Sequence, residues 1–413
     1  MSILSPRLLV QGEQSALPDS VTQTIETLTL GSLKEVPLSG GDIGFSFPSR
    51  DPDDLAFIQF TSGSTGGPAK GAEVRFGQLQ SNLDALATRI RMSSEDRMVS
   101  WAPLYHDMGL MAVLIALRHG ADLVLMETEH FVRRPTAWLE AISTYKGTIT
   151  TAPPTALKLL THRRANDVDL SSLRYAWIGG ETVFPVVLQG FSDCYASAGL
   201  KEFVLQPTYG MAETVVGVSC GDPGAPWLLR HEMVSCGRPL EGMEVKVVDE
   251  DGLPLADGAT GHVHVRGHSV ISGYLGLPPF EAGGWYDTGD VGFLKEGHLF
   301  VSGRVKDILK RGGESWPSHL VESVAEDALD LRTGRAAAFA SFRSDLAKEE
   351  IVILVEAREW SGDQARRVSS AVMADLGLQV DVVRAVTGGR LPRTSSGKLM
   401  RQMIAAQYRE GKL

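Results

Sequence analysis

The 413-residue chain carries 50 acidic against 40 basic side chains, a formal net charge of −10, with 43% apolar and 22% charged residues. These proportions exclude wholesale disorder, and the acidic balance excludes a general nucleic-acid binder, whose phosphate partner demands basic surface. Cys194, Cys220 and Cys236 form no CxxC pair, so neither a disulfide framework nor a zinc site is expected, and free thiols suit a reducing cytoplasm.

The opening residues lack a basic stretch followed by a long apolar run, so no signal peptide is expected, and no segment reaches the ~20 apolar residues of a membrane span. Residues 1–52 are rich in Pro, Gly and Ser with little periodicity and read as a short lead. Ala56–Phe60 then reads as a strand ending in a Gly/Ser/Thr loop, after which Leu79, Leu83, Leu86 and Ile90 recur at helical spacing. The runs ADLVLM, GTITTA and YAWIG read as strands, separated by helical stretches holding Trp138, Ile142 and Leu159. Strands alternating with helices predict βαβ units and a mainly parallel sheet.

From residue 242 the pattern changes to polar and apolar residues alternating around Gly- and Asp-rich turns, which predicts antiparallel strands. Gly303–Gly313 is basic and glycine-flanked and looks like a linker. Beyond it, strands near AAAFASF and EIVILVEA, a helix through Ala365–Ala374 and a last helix from Leu399 predict an α+β unit. The expected fold is therefore α/β. A core over 53–303 carries a mainly parallel sheet plus antiparallel strands, and a small mobile α+β domain spans 304–413.

The strongest local signal is TSGSTGGPAKG, from Thr61 to Gly71, directly after a strand. Gly63 and Gly66 let the backbone turn tightly and aim N–H groups at an anion, Thr61, Ser62, Ser64 and Thr65 add hydroxyl donors, and Lys70 adds a charge for outer phosphates. The GK[ST] ending of a P-loop is absent.

Seven more segments follow in order: PLYHDMG (103–109), WIGGET (177–182), PTYGMAET (207–214), VSCGRP (234–239), YDTGD (286–290), GRVKD (303–307) and LPRTSSGK (391–398). Together with the phosphate loop they resemble the adenylate-forming superfamily of acyl-CoA synthetases, luciferases and nonribosomal adenylation domains. HDMG and VSCGRP are similar to the fatty acyl-AMP ligase branch in particular.

The resemblance implies that ATP and a carboxylic acid, in all expectation a fatty acid, give acyl-AMP and pyrophosphate, and that the acyl group then passes to a carrier-protein thiol. It implies Glu213 as the Mg²⁺ ligand, a role that a hard oxygen suits. Asp290 and Arg304 would hold the ribose hydroxyls. Gly180, Glu181, Thr208 and Tyr209 would wall the adenine slot, with Gly210, Met211 and Thr214 of the same segment against the nucleotide. His106 would stand near the acyl carboxylate, Lys398 would swing onto the α-phosphate, and Lys306 would be the hinge between half-reactions.

Three departures from the family pattern bear on this expectation. Only 60 residues precede Thr61, so a homodimer, a partner chain or a compacted fold is expected to cover the core sheets. Ala69 reads as a one-residue insertion before Lys70. The stretch from Thr214 to Val234 is short, and RGGESWP resembles CoA ligases and aryl-acid activators. An acyl-CoA or aryl-acid ligase, and a non-catalytic scaffold subunit, therefore stay open as alternatives.

Overall fold

The computed structural model describes residues 8–11, 26–29, 50–61, 70–230, 233–311, 314–332, 334–343, 348–357, 359–387, 389–394 and 398–413. The chain divides into Met1–Ser49 and Arg50–Leu413. Within the first unit, strands Leu8–Gln11 and Glu26–Thr29 pair in parallel. No described helix is long and apolar enough to cross a membrane.

The second unit is built on a seven-stranded sheet. In spatial order its strands are Arg238–Pro239, Ser219–Cys220, Leu205–Tyr209, Tyr175–Ile178, Ile149–Ala152, Arg97–Ser100 and Asp122–Leu125. The last five pair in parallel, and the two short strands at the other edge are antiparallel. YAWI and ITTA are buried at every position, which explains why they read as short continuous runs rather than alternating ones. Tyr175 and Trp177 pack with the helices Phe76–Ile90 and Asp107–His119 on one face. Ala176 and Ile178 pack with Thr136–Tyr145, Pro154–His162 and Pro185–Tyr195 on the other. The expected α/β core is therefore present, with helices covering both sheet faces.

The expected strand at residues 56–60 forms, but outside the parallel sheet. Leu55–Phe60 pairs antiparallel with Gly71–Arg75 around the phosphate loop. The second strand of that hairpin is too short and mixed to show in the pattern. Downstream, Met243–Val248, Gly261–Gly267, Tyr286–Lys295 and His298–Arg304 make the expected antiparallel sheet.

The stretch expected to be a linker is instead a one-turn 3-10 helix, Val305–Asp307, running into the hairpin Ile308–Arg311 with Glu314–Pro317. Strands Ala336–Arg343 and Lys348–Glu356 follow as expected and gain a third, parallel partner in Val382–Val386. Helices Gly362–Leu376 and Arg401–Arg409 complete this part.

The helix Ser318–Ala328 has no clear apolar stripe in the sequence, because its buried face carries Ser318, Glu322 and Glu326 beside Val321 and Ala325. Those carboxylates are answered from far along the chain. Glu322 accepts from Arg401 Nε and Nη2 at 2.7 and 2.6 Å and from the Ala338 amide at 2.9 Å. Glu326 accepts the Arg335 and Ala336 amides at 2.7 and 3.0 Å.

Burial, with the neighbouring Glu322 charge, pushes the Glu326 carboxyl up from 4.5 to about 7. The folded state therefore favours the protonated form. The stability this contributes is complete below pH 4.5 and is lost as pH rises through about 7. A Glu326→Gln variant keeps the amide acceptor and cannot ionise. Above pH 7 it is expected to exceed the wild type by ~1–3 kcal/mol, with the gap closing toward pH 4.5, in a thermal-unfolding pH series.

Candidate active site

The phosphate loop is closed at its base by its own ends. The Thr61 amide donates to the Lys70 carbonyl at 2.9 Å, and the Lys70 amide donates to Thr61 Oγ1 at 3.2 Å. Ser62, Gly63, Ser64, Thr65 and Gly66 lie outside the described residues. Buried Gln59, on the strand entering the loop, donates through Nε2 to the Tyr105 carbonyl at 2.9 Å. That bond ties the loop to the PLYHDMG segment. Lys70 Nζ stands 4.9 Å over the ring of Tyr274.

His106 is the N-cap of Asp107–His119. Its Nδ1 lies 2.5 Å from Asp107 Oδ1 and 3.3 Å from the Met108 amide. One nitrogen cannot donate to the first and accept from the second. The short contact to a carboxylate requires Nδ1–H, which leaves Asp107 Oδ1, 2.7 Å from the same amide, as its acceptor. Burial opposes ionisation of Asp107, but the His106 ring, the Met108 amide and the Lys398 ammonium together hold its carboxyl below the ordinary range.

Lys398 arrives at this place from the other end of the chain. Its Nζ lies 4.0 Å from where a Cβ on Gly180 would stand, and Gly180 has φ +76°, a conformation that L side chains rarely adopt. The Lys398 backbone is held by Thr394, whose Oγ1 accepts the Lys398 amide at 3.1 Å and whose own amide donates to the Lys398 carbonyl at 2.8 Å. Two further contacts join the C-terminal residues to the core. Phe184 packs edge-on against His319 at 5.2 Å, and Lys158 Nζ lies 3.8 Å from Asp327.

Glu181 turns its carboxylate to the start of helix Pro154–His162, where Oε2 accepts the Thr155 amide at 3.4 Å, and Thr208 Oγ1 donates to the Gln206 carbonyl at 3.2 Å. Tyr209, expected at the adenine slot, is held by the residues expected at the ribose. Its hydroxyl donates to Asp290 Oδ2 at 2.6 Å, while Arg304 Nε sits 2.9 Å from Oδ1 and Nη1 donates to the Thr288 carbonyl at 3.0 Å. Asp290 and Arg304 are direct cross-strand partners. Asp290 is only 5% exposed, and burial pushes its carboxyl up against the pull of Arg304 and Tyr209.

Glu213 lies in the 3-10 turn Ala212–Thr214. The turn is held by buried Thr214, whose Oγ1 donates to the Met211 carbonyl at 3.0 Å and accepts its amide at 3.3 Å. Val215 follows at φ +67° and ψ −63°, a strained γ-turn for a β-branched residue, closed by the Val216 amide on the Thr214 carbonyl at 2.8 Å. The turn folds back so far that a Cβ on Gly210 would lie 1.7 Å from the Val216 carbonyl oxygen. Only glycine fits there.

The Glu213 carboxylate accepts the Tyr274 hydroxyl through Oε1 at 2.7 Å. Among the described residues no group of three or more His, Cys, Asp or Glu side chains converges as a metal cage. A single hard oxygen donor fits Mg²⁺, which is commonly held by one or two carboxylates together with substrate phosphates. Lys306 sits in the turn Val305–Asp307, its carbonyl accepting Gln402 Nε2 at 3.2 Å, and Asp307 accepts Arg401 at 3.0 Å.

The structure thus brings Lys398, His106 and Gly180 to one place and Tyr209, Asp290 and Arg304 to another. Asp107, Tyr274 and Tyr286 escaped sequence reasoning. Asp107 and Tyr286 stood inside quoted motifs, whereas Tyr274 showed no signal beyond being an apolar-patterned aromatic.

A cationic lysine carried onto a glycine turn, in a chain that also joins a buried aspartate to a tyrosine and an arginine, suits enzymes that join a carboxylate to a nucleotide phosphate. Residues 8–275 match the AMP-binding enzyme family, and the chain belongs to it. A Mycobacterium tuberculosis protein carrying only the general name of ligase is 33% identical over 387 residues, covering 84% of this chain and 71% of its own length. The long-chain-fatty-acid–AMP ligase FadD28 of the same organism is 30% identical over 424 residues, 89% of this chain and 72% of FadD28. A solved structure from work on fatty acyl-adenylate ligases of E. coli and L. pneumophila superposes with a TM-score of 0.85 at 28% identity, covering 98% of this chain and 79% of that one.

Proposed function

We propose that the protein is a fatty acyl-AMP ligase that activates a carboxylic acid with ATP and then passes the acyl group to a carrier-protein thiol in the cytoplasm. The observation that carries this reading is the placement of Lys398 Nζ beside Gly180 and within electrostatic reach of Asp107.

In the first half-reaction a carboxylate oxygen attacks the α-phosphorus of ATP. The bond to pyrophosphate breaks, and its electron pair leaves with pyrophosphate. Two anions must meet, so positioning and charge neutralisation supply most of the acceleration. Lys398 offsets the charge of both reacting groups. Asp290 accepts from the ribose hydroxyls, with Arg304 beside it, while Tyr209, Thr208, Gly180 and the main chain at Glu181 hold the base. The hydroxyls and amides of the loop from Thr61 to Lys70 hold the outer phosphates. Mg²⁺ bound at Glu213 would supply further neutralisation of those phosphates. His106, oriented by Asp107, faces the acyl carboxylate. In the second half-reaction a thiol sulfur attacks the acyl carbonyl, a thioester forms and AMP leaves.

Adenylation and transfer need different surroundings, and the contacts named above between the C-terminal residues and the core would suit one of the two states. Lys306, in the turn between the two parts, is the proposed hinge. Lys306→Pro is expected to leave one half-reaction within about threefold of wild type and slow the other by at least ~10-fold, in separate adenylation and acyl-transfer assays. Normal rates in both would remove the hinge.

The function itself is tested by pyrophosphate release across straight-chain, branched and aromatic acids. Acid-dependent release is expected with fatty acids, and no release with any acid would overturn the reading. Adding CoA, and separately a carrier protein bearing phosphopantetheine, identifies the acceptor. Rapid acyl-CoA formation would replace the carrier-protein assignment.

A further inference from the structure

We infer that Tyr274 is a positioning residue that serves both halves of the phosphate site, steering Glu213 with its hydroxyl and Lys70 with its ring face. The inference rests on the adenylation reading above and extends it to a residue outside every motif quoted from the sequence.

The segment around Tyr274 is fastened to the strand that leaves the phosphate loop. Ala72 forms a β-bridge with Tyr274, the Leu275 amide donates to the Gly71 carbonyl at 2.8 Å, and the Glu73 amide donates to the Gly273 carbonyl at 3.2 Å. The side chain is 9% exposed. Phe280 packs edge-on against its ring at 5.4 Å and, tilted by 34°, against Tyr286 at 5.3 Å, which restricts the turning of both rings.

The Tyr274 hydroxyl lies 2.7 Å from Glu213 Oε1 and 3.0 Å from the Tyr286 hydroxyl. A carboxylate can only accept, so the Tyr274 proton points at Glu213 and Tyr286 donates to Tyr274. One carboxylate oxygen is thereby held, and the other is left to face a cation. Tyr286 stands in the strand that also carries Asp290, so this relay joins Glu213 to the strand of the proposed ribose ligand. On the ring face, Lys70 Nζ at 4.9 Å is in cation–π range. The contact gives Lys70 a defined place over the ring whose hydroxyl holds Glu213. A tyrosine satisfies both demands; phenylalanine keeps the face and loses the hydroxyl, and leucine loses both.

The test uses the full chain with ATP and no acid, following the ATP-induced rise in Tm as Mg²⁺ is titrated. Tyr274→Phe is expected to raise the half-saturating Mg²⁺ concentration by about 3- to 10-fold and to leave the Mg²⁺-free ATP response unchanged. Tyr274→Leu should also weaken the Mg²⁺-free response, as Lys70→Ala should, with little further loss when the two are combined. In a Glu213→Gln background the Phe substitution should shift nothing. A Tyr274→Phe titration that coincides with wild type, or a lower Tm without a shifted Mg²⁺ midpoint, would overturn the inference and leave the adenylation reading standing. Absence of any ATP-induced rise in the wild type would remove the nucleotide reading, and this inference with it.

Discussion

Replacing Lys398 by alanine is expected to slow acid-dependent pyrophosphate release by at least ~10²–10³-fold. The side chain crosses from the C-terminal residues to the core and ends beside Gly180, where a larger neighbour would meet it. Two unit charges ~4 Å apart at an effective dielectric of about 20 interact by roughly 4 kcal/mol, and the ammonium faces two anions that must approach each other. That interaction strengthens as charge develops, so its loss appears in kcat rather than in ATP binding. ATP-dependent stabilisation in the variant should remain within about twofold of wild type. Acyl transfer from supplied acyl-AMP should also persist, because the lysine serves the first half-reaction. Lys398→Arg should recover less than about one-tenth of the lost rate, since a planar guanidinium cannot replace a compact point charge in a crowded turn. Adenylation by the alanine variant at more than a tenth of the wild-type rate would assign Lys398 to the loop's structure instead.

The second large effect is expected at Asp290. Asp290→Ala should raise the KM for ATP by about 10²-fold or more and lower Tm as well. The carboxylate is buried, accepts Tyr209 and Arg304 at 2.6 and 2.9 Å, and sits opposite Arg304 in the strand ladder. Removing one member of a buried ion pair costs about 3–5 kcal/mol. Here the cost is expected below that, because the Arg304 side chain left behind is 42% exposed and solvent screens its charge. Tyr209→Phe provides the comparison. It removes one neutral donor and should cost ~1 kcal/mol in stability, with a KM change below about 10-fold. Equal effects of the two substitutions on KM, read in the same steady-state assay, would shift the ribose-binding role away from the carboxylate.

Much of the core was legible in the sequence because its strands are buried on both faces. YAWI and ITTA show as short apolar runs between helix-period segments, and that pattern is a local property of each stretch. The order of the motifs, likewise, is a property of the chain alone, and it pointed to the adenylate-forming class before any geometry was known. The pattern misled where a segment's neighbours are polar. Ser318–Ala328 hides two glutamates on its inner face, and they are stable there only because Arg401 and the amides of Arg335, Ala336 and Ala338 come to meet them. Ala56–Phe60 was legible as a strand, but its partner was not, since a strand's own alternation carries no record of which edge it joins.

The site divides in the same way. Residue types at fixed spacing named Glu213, Asp290, Arg304 and Lys398 as a set, without saying what each touches. Tyr209 and Asp290 meet across 81 residues, and Tyr274 and Glu213 across 61. Hydrogen bonds act over about 3 Å in space regardless of separation along the chain. The sequence therefore determined which elements form and which chemistry they carry, because periodicity and motif spacing are local. Only the tertiary structure decided which tyrosine faces which carboxylate, because that pairing exists only once distant strands are packed together.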